Sequence, residues 1–321
     1  MTTALVVVEH DRGVMAAATL EALTAAHEMG DTVVALTVGA SADDLAPALA
    51  PFGVATVHQA RHRLLDDFGP EAWGATIAQA ITRICPDVVM ATGTDRGNES
   101  MAWTAALLDL PFVTNCTSVR LGEPTEVTRV RWGGSLLEEA AVSGGPILFT
   151  VAHHSIDPAP AATSGAAVPE PFDAELSEHL GRSKVRSRVE RRAGVTLATA
   201  PVVVGGGRGV GSAEAFEPLE ELAAELGGVV GCSRAVTNNG WRSHTDQVGQ
   251  TGTRIAPDVY FACGISGAIQ HWVGAMASKH IIAINTDEQA NMVVKSEYAV
   301  IADLHEVVPA ITAEVRRRRT G

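Results

Sequence analysis

Short apolar runs alternate with longer, Ala-rich segments of helical period over the first third of the chain. Apolar and β-branched runs separated by helices are typical of a parallel sheet that is covered by helices on both faces. The first helix is predicted over residues 15–29. The pattern therefore predicts an N-terminal α/β domain with a parallel sheet, whose first strands are Ala4–Val8, Thr32–Val38, Thr56–Gln59 and Asp87–Thr92.

After Pro111 this alternation gives way to consecutive strand-like runs with no helical segment between them. The runs are Phe112–Leu121, Glu126–Trp132 and Ile147–Ala152, and turns that contain glycine join them. Strands joined by tight turns pair in the antiparallel direction. We therefore expect antiparallel strands to be appended to the parallel sheet of the first domain.

A second alternation of strands and helices begins at Val202. Before it, residues 155–171 are rich in Pro, Ala and Ser and predict an extended connector, and residues 175–192 are charged and compatible with a helix. A chain of 321 residues is expected to form two domains, which we assign to residues 1–185 and 196–321. The second domain is predicted to be a parallel sheet of the flavodoxin-like or deoxyhypusine-synthase-like kind, with strands Val202–Val204, Val229–Cys232, Val259–Cys263, Ile281–Ile284 and Ala299–Ile301 and helices Ala213–Leu226, Ser266–Met276 and Glu306–Arg316.

Composition and charge narrow the class of protein. Hydrophobic residues make up 46% of the chain and aromatic residues only 4%, which indicates cores filled by small side chains. The 24 basic and 37 acidic residues give a net charge of −13, which argues against a nucleic-acid partner. No run of about 18 apolar residues and no basic N-terminal region occurs, so we expect no membrane insertion, no signal peptide and a cytoplasmic protein. The cysteines lack metal-ligand spacing and are expected to be reduced thiols: Cys85, Cys116, Cys232 and Cys263.

Two polar loops punctuated by glycine are the strongest functional signal. The first is Val248–Gly252; the second, Gly264–His271, follows the apolar run Val259–Cys263 and leads into the helix predicted over Ser266–Met276. A strand that ends in Gly-x-Ser-Gly and turns into a helix directs backbone N–H groups at a phosphate. A core does not need the Gln, Thr, Ser and His side chains of these loops. The loops therefore predict a cradle for a nucleotide or cofactor.

Two arginines lie at other predicted strand ends. Arg208 follows the glycines at 205–207 in a loop that matches neither the dinucleotide G-x-G-x-x-G pattern nor the P-loop, but it can place a guanidinium near a pyrophosphate. Ser233 and Arg234 follow Val229–Cys232, at the carboxyl edge where open α/β sheets bind ligands. The alternatives are a solvated surface arginine for Arg208 and a surface ion pair for Arg234.

Three further polar residues are candidates for the same edge. Asn285 and Asp303 each follow a short apolar strand. Asp303 suits a ribose or ribitol hydroxyl, and helix N-capping is the alternative for both residues. His271 follows Gln270 in the second glycine loop, and the alternative for it is an ordinary core or surface histidine whose hydrogen bonds are satisfied within the protein.

Two histidine pairs are not predicted to bind a metal ion. His153 and His154 are assigned to a strand, where neighbouring side chains alternate between faces and do not easily share an ion. His58 and His62 have the i,i+4 spacing of a helix but lack a constellation of Cys or carboxylate ligands. The G-x-S-x-G nucleophile elbow is not present either, since Gly264–Ala268 departs from it at the last position.

The glycine loops and strand ends resemble the FAD-binding signature of electron transfer flavoprotein alpha subunits. The chain departs from that family at Cys232, where a small residue is commoner, at Thr286, where Lys is usual, and by an extra glycine before Arg208. The N-terminal start Leu5–His10 is also similar to the family. The order and spacing match through most of the last third of the chain, in the segments Ser233–Arg234, Val248–Gly252, Gly264–His271, Ala283–Asn285 and Ala302–Leu304.

The resemblance implies one FAD held mainly by the C-terminal domain. It implies hydrogen bonds from Gln250 and Thr251 to flavin N5 and O4, and a position for His271 near O2. The charge of Arg234 would stabilise the reduced, anionic flavin. The implied cofactor-binding residues are Arg208, Ser233, Arg234, Gln247, Val248, Gln250, Thr251, Gly252, Gly264, Ser266, Gly267, Ala268, Ile269, Gln270, His271, Asn285, Asp303 and Leu304.

The resemblance also implies an electron carrier rather than an enzyme with its own substrate. The chain would form a heterodimer with an electron transfer flavoprotein beta subunit, which its adenine-nucleotide-hydrolase-like N-terminal domain would contact. Flavin dehydrogenases are the implied donors, and a quinone oxidoreductase of the electron transfer flavoprotein type is the implied acceptor. The family contains both ordinary and electron-bifurcating carriers.

Two alternatives belong to other functional classes. One is a stand-alone flavin oxidoreductase, and the other is a non-catalytic nucleotide-binding module of the universal-stress type. The cradle offers no general acid–base pair, which favours the carrier over the oxidoreductase. A nucleotide-sensing module would leave the loops at Val248 and Gly264 unexplained.

Overall fold

The computed structural model describes residues 1–134, 136–186 and 195–320. The chain forms two compact units, which lie mainly within residues 1–190 and residues 191–321, respectively. Within the described ranges, no helix is both long and apolar enough to cross a bilayer. The four cysteines are free thiols, three of them buried.

The first unit has the predicted alternation of strands and helices. Its helices are α1 (Ala18–Met29), α2 (Ala46–Leu49), α3 (Pro70–Ile84) and α4 (Asp95–Leu108). Its strands are β1 (Thr3–Val7), β2 (His10–Asp11), β3 (Val14–Met15), β4 (Thr32–Val38), β5 (Val54–Arg61), β6 (Val88–Thr92), β7 (Phe112–Arg120), β8 (Thr125–Arg131), β9 (Leu136–Val142), β10 (Ile147–Val151) and β11 (Val168–Asp173). Buried apolar side chains cover both faces of the sheet, which explains why the central strands are nearly continuous apolar runs.

The main sheet of the first unit has the strand order β11-β5-β4-β1-β6-β10-β7-β8-β9. Every pairing from β11 to β7 is parallel. The two pairings that follow, β7 with β8 and β8 with β9, are antiparallel. The prediction of a parallel sheet with appended antiparallel strands is therefore confirmed.

Strand β10 corrects one part of that prediction. The sequence pattern assigns it to the antiparallel group, whereas it lies between β6 and β7 and runs parallel to both. All of its residues are buried, as expected for a central strand with neighbours on both edges and cover on both faces. The second antiparallel neighbour is β9 instead, whose Leu-Leu-Glu-Glu-Ala-Ala-Val sequence does not alternate and was not predicted as a strand.

The segment predicted as an extended connector contributes a strand. Its end forms β11, which lies at the edge of the sheet, parallel to β5. The two prolines of β11 are compatible with this position, because an edge strand leaves one row of backbone groups without a ladder partner. Of the charged stretch 175–192, the structure describes a 3₁₀ turn at Glu178–Gly181, and residues 187–192 lie outside the described residues.

The second unit is a parallel sheet with helices on both faces. Its strands are β12 (Val202–Gly206), β13 (Val229–Cys232), β14 (Val259–Cys263), β15 (His280–Asn285) and β16 (Tyr298–Ile301). Its helices are α5 (Glu217–Glu225), α6 (Arg234–Asn238), α7 (Ile269–Ala275), α8 (Asn291–Lys295) and α9 (Leu304–Thr320). The strand order β13-β12-β14-β15-β16 is that of flavodoxin-like folds, as predicted.

The strand order reverses at β12, which has β13 on one side and β14 on the other. Gly206 at the end of β12 is in register with Cys232 on β13 and with Cys263 on β14. Such a switch point opens a crevice at the carboxyl edge, where open α/β sheets bind ligands. The next residue of each strand therefore leaves the sheet at the same level, namely Gly207, Ser233 and Gly264.

Two apolar layers support this edge. On one face, α5 and α9 pack against the sheet around Phe216 and Phe261. On the other face, α7, α8 and the Val248 loop pack around Tyr260. The polar loops at the strand ends therefore rest on buried side chains.

Candidate functional site

A cleft of about 690 Å³ lies at the carboxyl ends of β12, β13, β14 and β15. The predicted site residues that line it are Arg208, Ser233, Arg234, Gly264, Ser266, Gly267, Ala268, Gln270, His271 and Asn285. The lining residues that were not predicted are Gly209, Ala235, Asn238, Ile265, Asp287 and Ala290. The structure thus brings together one predicted residue or more from each of these four strand ends.

Two glycine turns cross at one wall of the cleft. The N–H of Gly207 donates to the carbonyl oxygen of Cys263 at 2.8 Å, and that of Gly209 donates to the carbonyl oxygen of Gly264 at 3.1 Å. A Cβ on Gly207 would lie 2.1 Å from the Gly264 oxygen. Gly264 itself has φ +63°, in the left-handed region that glycine adopts most readily. The crossing is a contact of backbone with backbone, and no side chain fits at Gly207.

The loop between β14 and α7 differs from the prediction. The helix begins at Ile269 rather than at Ser266, because Gly267 has φ +75° and cannot belong to a right-handed helix. Among the described residues, the N–H groups of Ser266, Gly267 and Ala268 donate to no acceptor. Consecutive unpaired N–H groups in a glycine turn form a nest that binds anions such as phosphate.

Arg208 and Arg234 bring positive charge to the cleft. Both side chains are exposed, and within the described part of the chain neither forms an ion pair with a carboxylate. The alternative for Arg234, a surface ion pair, is therefore not observed among the described residues. Asn285 lies opposite in the lining, where its Nδ2 donates to the carbonyl oxygen of Ile265 at 3.1 Å and its Oδ1 accepts from the N–H of Asp287 at 3.1 Å.

The loop Val248–Gly252 lies beside the cleft rather than in its lining. The N–H of Val248 donates to the carbonyl oxygen of Cys232 at 2.8 Å, which ties the loop to the end of β13. The N–H of Gln250 donates to the carbonyl oxygen of Gln270 at 2.7 Å, which ties it to a residue of the cleft wall. The loop therefore does not line the cleft itself, but the hydrogen bond to Gln270 joins it to the cleft wall.

Gln247 is buried behind this loop and holds its conformation. Its Nε2 donates to the hydroxyl of Thr251 at 3.0 Å, and its Oε1 accepts from the hydroxyl of Thr237 at 3.0 Å. The oxygen and the nitrogen of the Gln247 amide therefore both have hydrogen-bond partners within the protein. A direct contact with the flavin stays a prediction for the residues of this segment, namely Gln247, Val248, Gln250, Thr251 and Gly252.

His271 is a buried histidine at the edge of the cleft, only 7% exposed. Its Nε2 lies 2.8 Å from the hydroxyl of Tyr260, and its Nδ1 makes no hydrogen bond of normal geometry among the described residues. Burial lowers the pKa of His271 to about 4, although the backbone of Val248 opposes the shift. The ring is therefore neutral at neutral pH. When Tyr260 donates to Nε2, the ring proton is on Nδ1, which is then a donor.

Replacing Tyr260 by Phe should lower the free energy of unfolding by about 1–2 kcal/mol, because the buried Nε2 of His271 would lose its partner. Tyr298, the other tyrosine of the chain, is 55% exposed, so Tyr298→Phe serves as the matched control and should change little. Urea unfolding of the two variants provides the comparison. Equal stability of both variants and the parent would show that the Tyr260 hydroxyl does not hold the ring.

Asp303, Leu304 and Ile269 were predicted to contact the cofactor but do not line the cleft. The Oδ1 of Asp303 accepts from the N–H of His305 at 2.9 Å at the start of α9, so the capping alternative is observed for this residue. Leu304 is buried and packs beneath Gly264, since a Cβ on that glycine would lie 2.8 Å from Leu304 Cδ2. For all three residues, contact with the cofactor stays a prediction.

Some of the lining residues that were missed could have been inferred from helix geometry. Arg234 and Asn238 are four residues apart in the short helix α6. Residues at this spacing lie on the same face of a helix, and both line the cleft. The sequence Asn238-Asn239-Gly240 by itself is only a turn signal. Asp287 joins the cleft because its N–H is hydrogen-bonded to Asn285, a contact that no local pattern predicts.

The structure also corrects the two histidine pairs. His153 and His154 do not alternate across a strand, because β10 ends at Val151 and the chain turns there. His154 has φ +60°, and the two rings stack with their centroids 3.7 Å apart. His58 and His62 do not share a helix, since the former lies in β5 and the latter caps a 3₁₀ turn.

Both units contain a segment that matches a known protein family. Residues 4–177 match the electron transfer flavoprotein domain, and residues 196–276 match the electron transfer flavoprotein FAD-binding domain. The second match contains most of the cleft-lining residues, including both arginines and the loop that ends at His271. FAD is accordingly the cofactor of this fold, and the unpaired N–H groups of the glycine loop are suited to its pyrophosphate.

Individual relatives resemble the chain over nearly its whole length. An electron transfer flavoprotein subunit alpha of Syntrophomonas wolfei is 34% identical over 97% of this chain and 98% of its own length. A probable mitochondrial electron transfer flavoprotein subunit alpha of Caenorhabditis elegans is 36% identical over 98% of this chain and 93% of its own. An electron transfer flavoprotein subunit alpha of Mycobacterium leprae is 35% identical over 99% of this chain and 100% of its own length.

Proposed function

We infer that this chain, which belongs to the alpha-subunit family of electron transfer flavoproteins, is the FAD-carrying half of a cytoplasmic two-subunit electron carrier. The observation that carries the inference is the cleft at the strand-order switch of the second unit, where a glycine nest and two arginines meet. The proposed boundaries are residues 196–321 for the FAD domain and 1–185 for the domain that contacts the partner.

The phosphate half of FAD is assigned to the glycine nest. The unpaired N–H groups at residues 266–268 and the guanidinium of Arg208 present only positive charge to a pyrophosphate. The crossing of Gly207 with Gly264 keeps this part of the wall free of side chains, so that a ligand can approach the backbone. The hydroxyl of Ser266 supplies a further donor beside the N–H groups.

The ring half is assigned to the opposite end of the lining. Arg234 follows β13 and is exposed in the cleft, and His271 lies buried at its edge. Gln250 and Thr251 come from the adjoining loop, which the Gln250–Gln270 hydrogen bond ties to the wall. Bound FAD supplies the electron storage, and these side chains orient the ring and adjust its affinity for electrons.

The chemistry of the lining favours a carrier over an enzyme with its own substrate. The titratable side chains among the described lining residues are Arg208, Arg234, Asp287 and His271. Burial depresses the pKa of His271 to about 4, and Asp287 is the sole carboxylate in that set. Oxidation of a substrate at carbon needs a base that accepts a proton, whereas transfer of electrons between flavins does not.

An absorption spectrum of the purified chain, produced together with the gene product expected as its beta subunit, tests the cofactor assignment. Oxidised flavin bands are expected; they should bleach on addition of a reduced flavin dehydrogenase and return on addition of an oxidised quinone oxidoreductase together with quinone as the final electron acceptor. A colourless complex would contradict the proposal. Turnover of a small organic substrate by the complex alone would favour the oxidoreductase alternative.

Replacing Arg234 by Ala should lower the midpoint potential of the bound flavin, because a nearby guanidinium favours the reduced, anionic ring. Arg234 is exposed, so solvent screens its charge, and we expect a shift on the order of 1–2 kcal/mol, or roughly 40–90 mV for one electron. Arg234→Lys keeps the charge and is the control. Potentiometry that shows no shift with FAD fully bound would remove this role.

The partner is proposed to be a beta subunit, with flavin dehydrogenases as donors and a quinone oxidoreductase as acceptor. Electron exchange with large proteins requires a ring edge near the surface, and the cleft is open on the side of Arg234 and Asn238. Size-exclusion chromatography with mass determination should give a one-to-one complex with the beta subunit. A flavin-replete homodimer that transfers electrons by itself would exclude this arrangement.

A further inference from the structure

A cluster of metal-ligating side chains lies in the first unit. Glu21 on α1 and His153 and His154 in the turn after β10 place one ligand atom each within 4.8 Å of one another. The two imidazole rings are stacked, with centroids 3.7 Å apart and an angle of 28° between their planes. None of the three residues belongs to the FAD cleft or takes part in the proposed electron transfer.

The turn after β10 explains why two consecutive histidines face the same group. In a strand their side chains would point to opposite faces. His154 instead has φ +60°, a left-handed conformation that is uncommon outside glycine. This conformation lets both rings stack on one side of the backbone, next to the carboxylate of Glu21, whose Oε1 lies 3.9 Å from His154 Nδ1.

Glu21 is only 6% exposed, and no Lys or Arg among the described residues forms an ion pair with it. Such deep burial is rare for a carboxylate. Backbone N–H groups at residues 154–156 face it, yet its Oε2 is buried and has no hydrogen-bond partner among the described residues. The carboxylate of Asp157 adds further negative charge nearby. A cation at Oε2 would compensate for the burial of the Glu21 charge.

We propose that Glu21, His153 and His154 form a binding site for a divalent transition-metal ion of the zinc class. Two imidazole nitrogens and one carboxylate oxygen are a common set of three zinc ligands, with water completing the tetrahedron. Zn–N distances of roughly 2.0–2.1 Å put neighbouring ligand atoms roughly 3.3 Å apart, so side-chain shifts of about 1 Å would close the cluster on an ion. The bound ion would join α1 to the turn after β10 within the first unit.

Zinc binding to the tag-free chain of 321 residues tests the proposal. After treatment with a chelator, titration calorimetry with Zn²⁺ alone should give one ion per chain. Replacing His153 or His154 by Gln should weaken binding by about 100-fold or more, since loss of even an outer partner of a metal ligand costs 10- to 100-fold. The matched control is His305→Gln, which removes an exposed histidine of the second unit and should bind Zn²⁺ like the parent.

A variant at the carboxylate separates metal binding from a purely structural role. Glu21→Gln keeps a carbonyl oxygen for the backbone N–H groups at 154–156 but removes the charge that an ion requires. We expect it to fold, to bind Zn²⁺ at least 10-fold more weakly, and to lose the rise in melting temperature that Zn²⁺ gives the parent. Co²⁺ should give the intense visible bands of tetrahedral coordination in the parent only.

Two outcomes would overturn the proposal. One is a parent chain that takes up no Zn²⁺ at micromolar concentration. The other is uptake that His153→Gln, His154→Gln and Glu21→Gln all leave unchanged, which would place the ion elsewhere. Because binding and melting are measured on the chain without regard to FAD, neither outcome depends on the electron-carrier proposal.

Discussion

Replacing Gly207 by Ala is expected to abolish FAD retention and to destabilise the second unit by about 3 kcal/mol or more, the upper end of the cost of overpacking. A Cβ at this position would lie 2.1 Å from the carbonyl oxygen of Gly264, 2.6 Å from its carbonyl carbon and 2.8 Å from the Cα of Ile265. All three atoms belong to the backbone, so no side-chain rotation relieves the collision. The two turns must separate, which breaks the hydrogen bonds from Gly207 and Gly209 across the crossing.

The matched control is Gly211→Ala in the same segment. Gly211 has φ +93°, but a Cβ there would meet no atom within 4 Å. Gly211→Ala should therefore lose about 1–3 kcal/mol of stability from backbone strain alone, without a collision. We expect this variant to keep FAD. The flavin absorbance of each purified complex and its urea midpoint are the measurements. Full FAD occupancy in Gly207→Ala would mean that the crossing does not shape the cofactor site.

The second unit should lose up to about 3 kcal/mol of stability between roughly pH 6.5 and pH 4 through His271 alone, at 1.36 kcal/mol per pKa unit. Burial lowers the pKa of His271 to about 4, from an unfolded value of 6.5. Between these values the unfolded chain binds a proton that the folded chain does not, so stability falls as the pH falls. Above pH 6.5 the ring is neutral in both states and contributes no dependence on pH.

Replacing His271 by Gln should therefore flatten the acid side of the stability profile, although it lowers stability at pH 7. Hydrogen exchange of β14, which lies beneath the site, reports on this unit and not on the first one. The measurements use the chain without FAD, so that loss of cofactor at low pH does not contribute. His305→Gln removes an exposed histidine and should keep the parent profile. A parental slope in His271→Gln would show that the ring is already charged or exposed.

Local patterns were sufficient for most of the second unit. Val229–Cys232 and Val259–Cys263 are observed as strands at the predicted bounds, because each is a short apolar run that ends at a polar or glycine residue. The change from apolar to polar or glycine residues also marked the carboxyl ends of these strands and the loops that follow them. Arg208, Ser233, Arg234 and the loop from Gly264 to His271 then had to meet, because parallel strands end at one edge.

Local patterns misjudged positions where a distant neighbour decides the conformation. Gly267 reads as part of a helix, but its φ of +75° and its close contact with the backbone of Met292 keep residues 266–268 as an open loop. The sequence pattern assigns β10 to the same antiparallel group as β7 and β8, although its pairing with β6 and β7 is parallel. Asn238 and Asp287 carry no signal by themselves and reach the cleft only through α6 and Asn285.

The chain by itself determined which residues end strands, which turns require glycine and which loops carry polar side chains, because these properties depend on periodicity and backbone freedom within a few residues. Only the tertiary structure decided which turns cross, as Gly207 and Gly264 do, and which side chains become buried, as His271 and Glu21 are. Those outcomes depend on the lateral order of strands and on contacts between residues far apart in sequence. The free energy of such contacts comes from packing and desolvation, which local sequence does not specify.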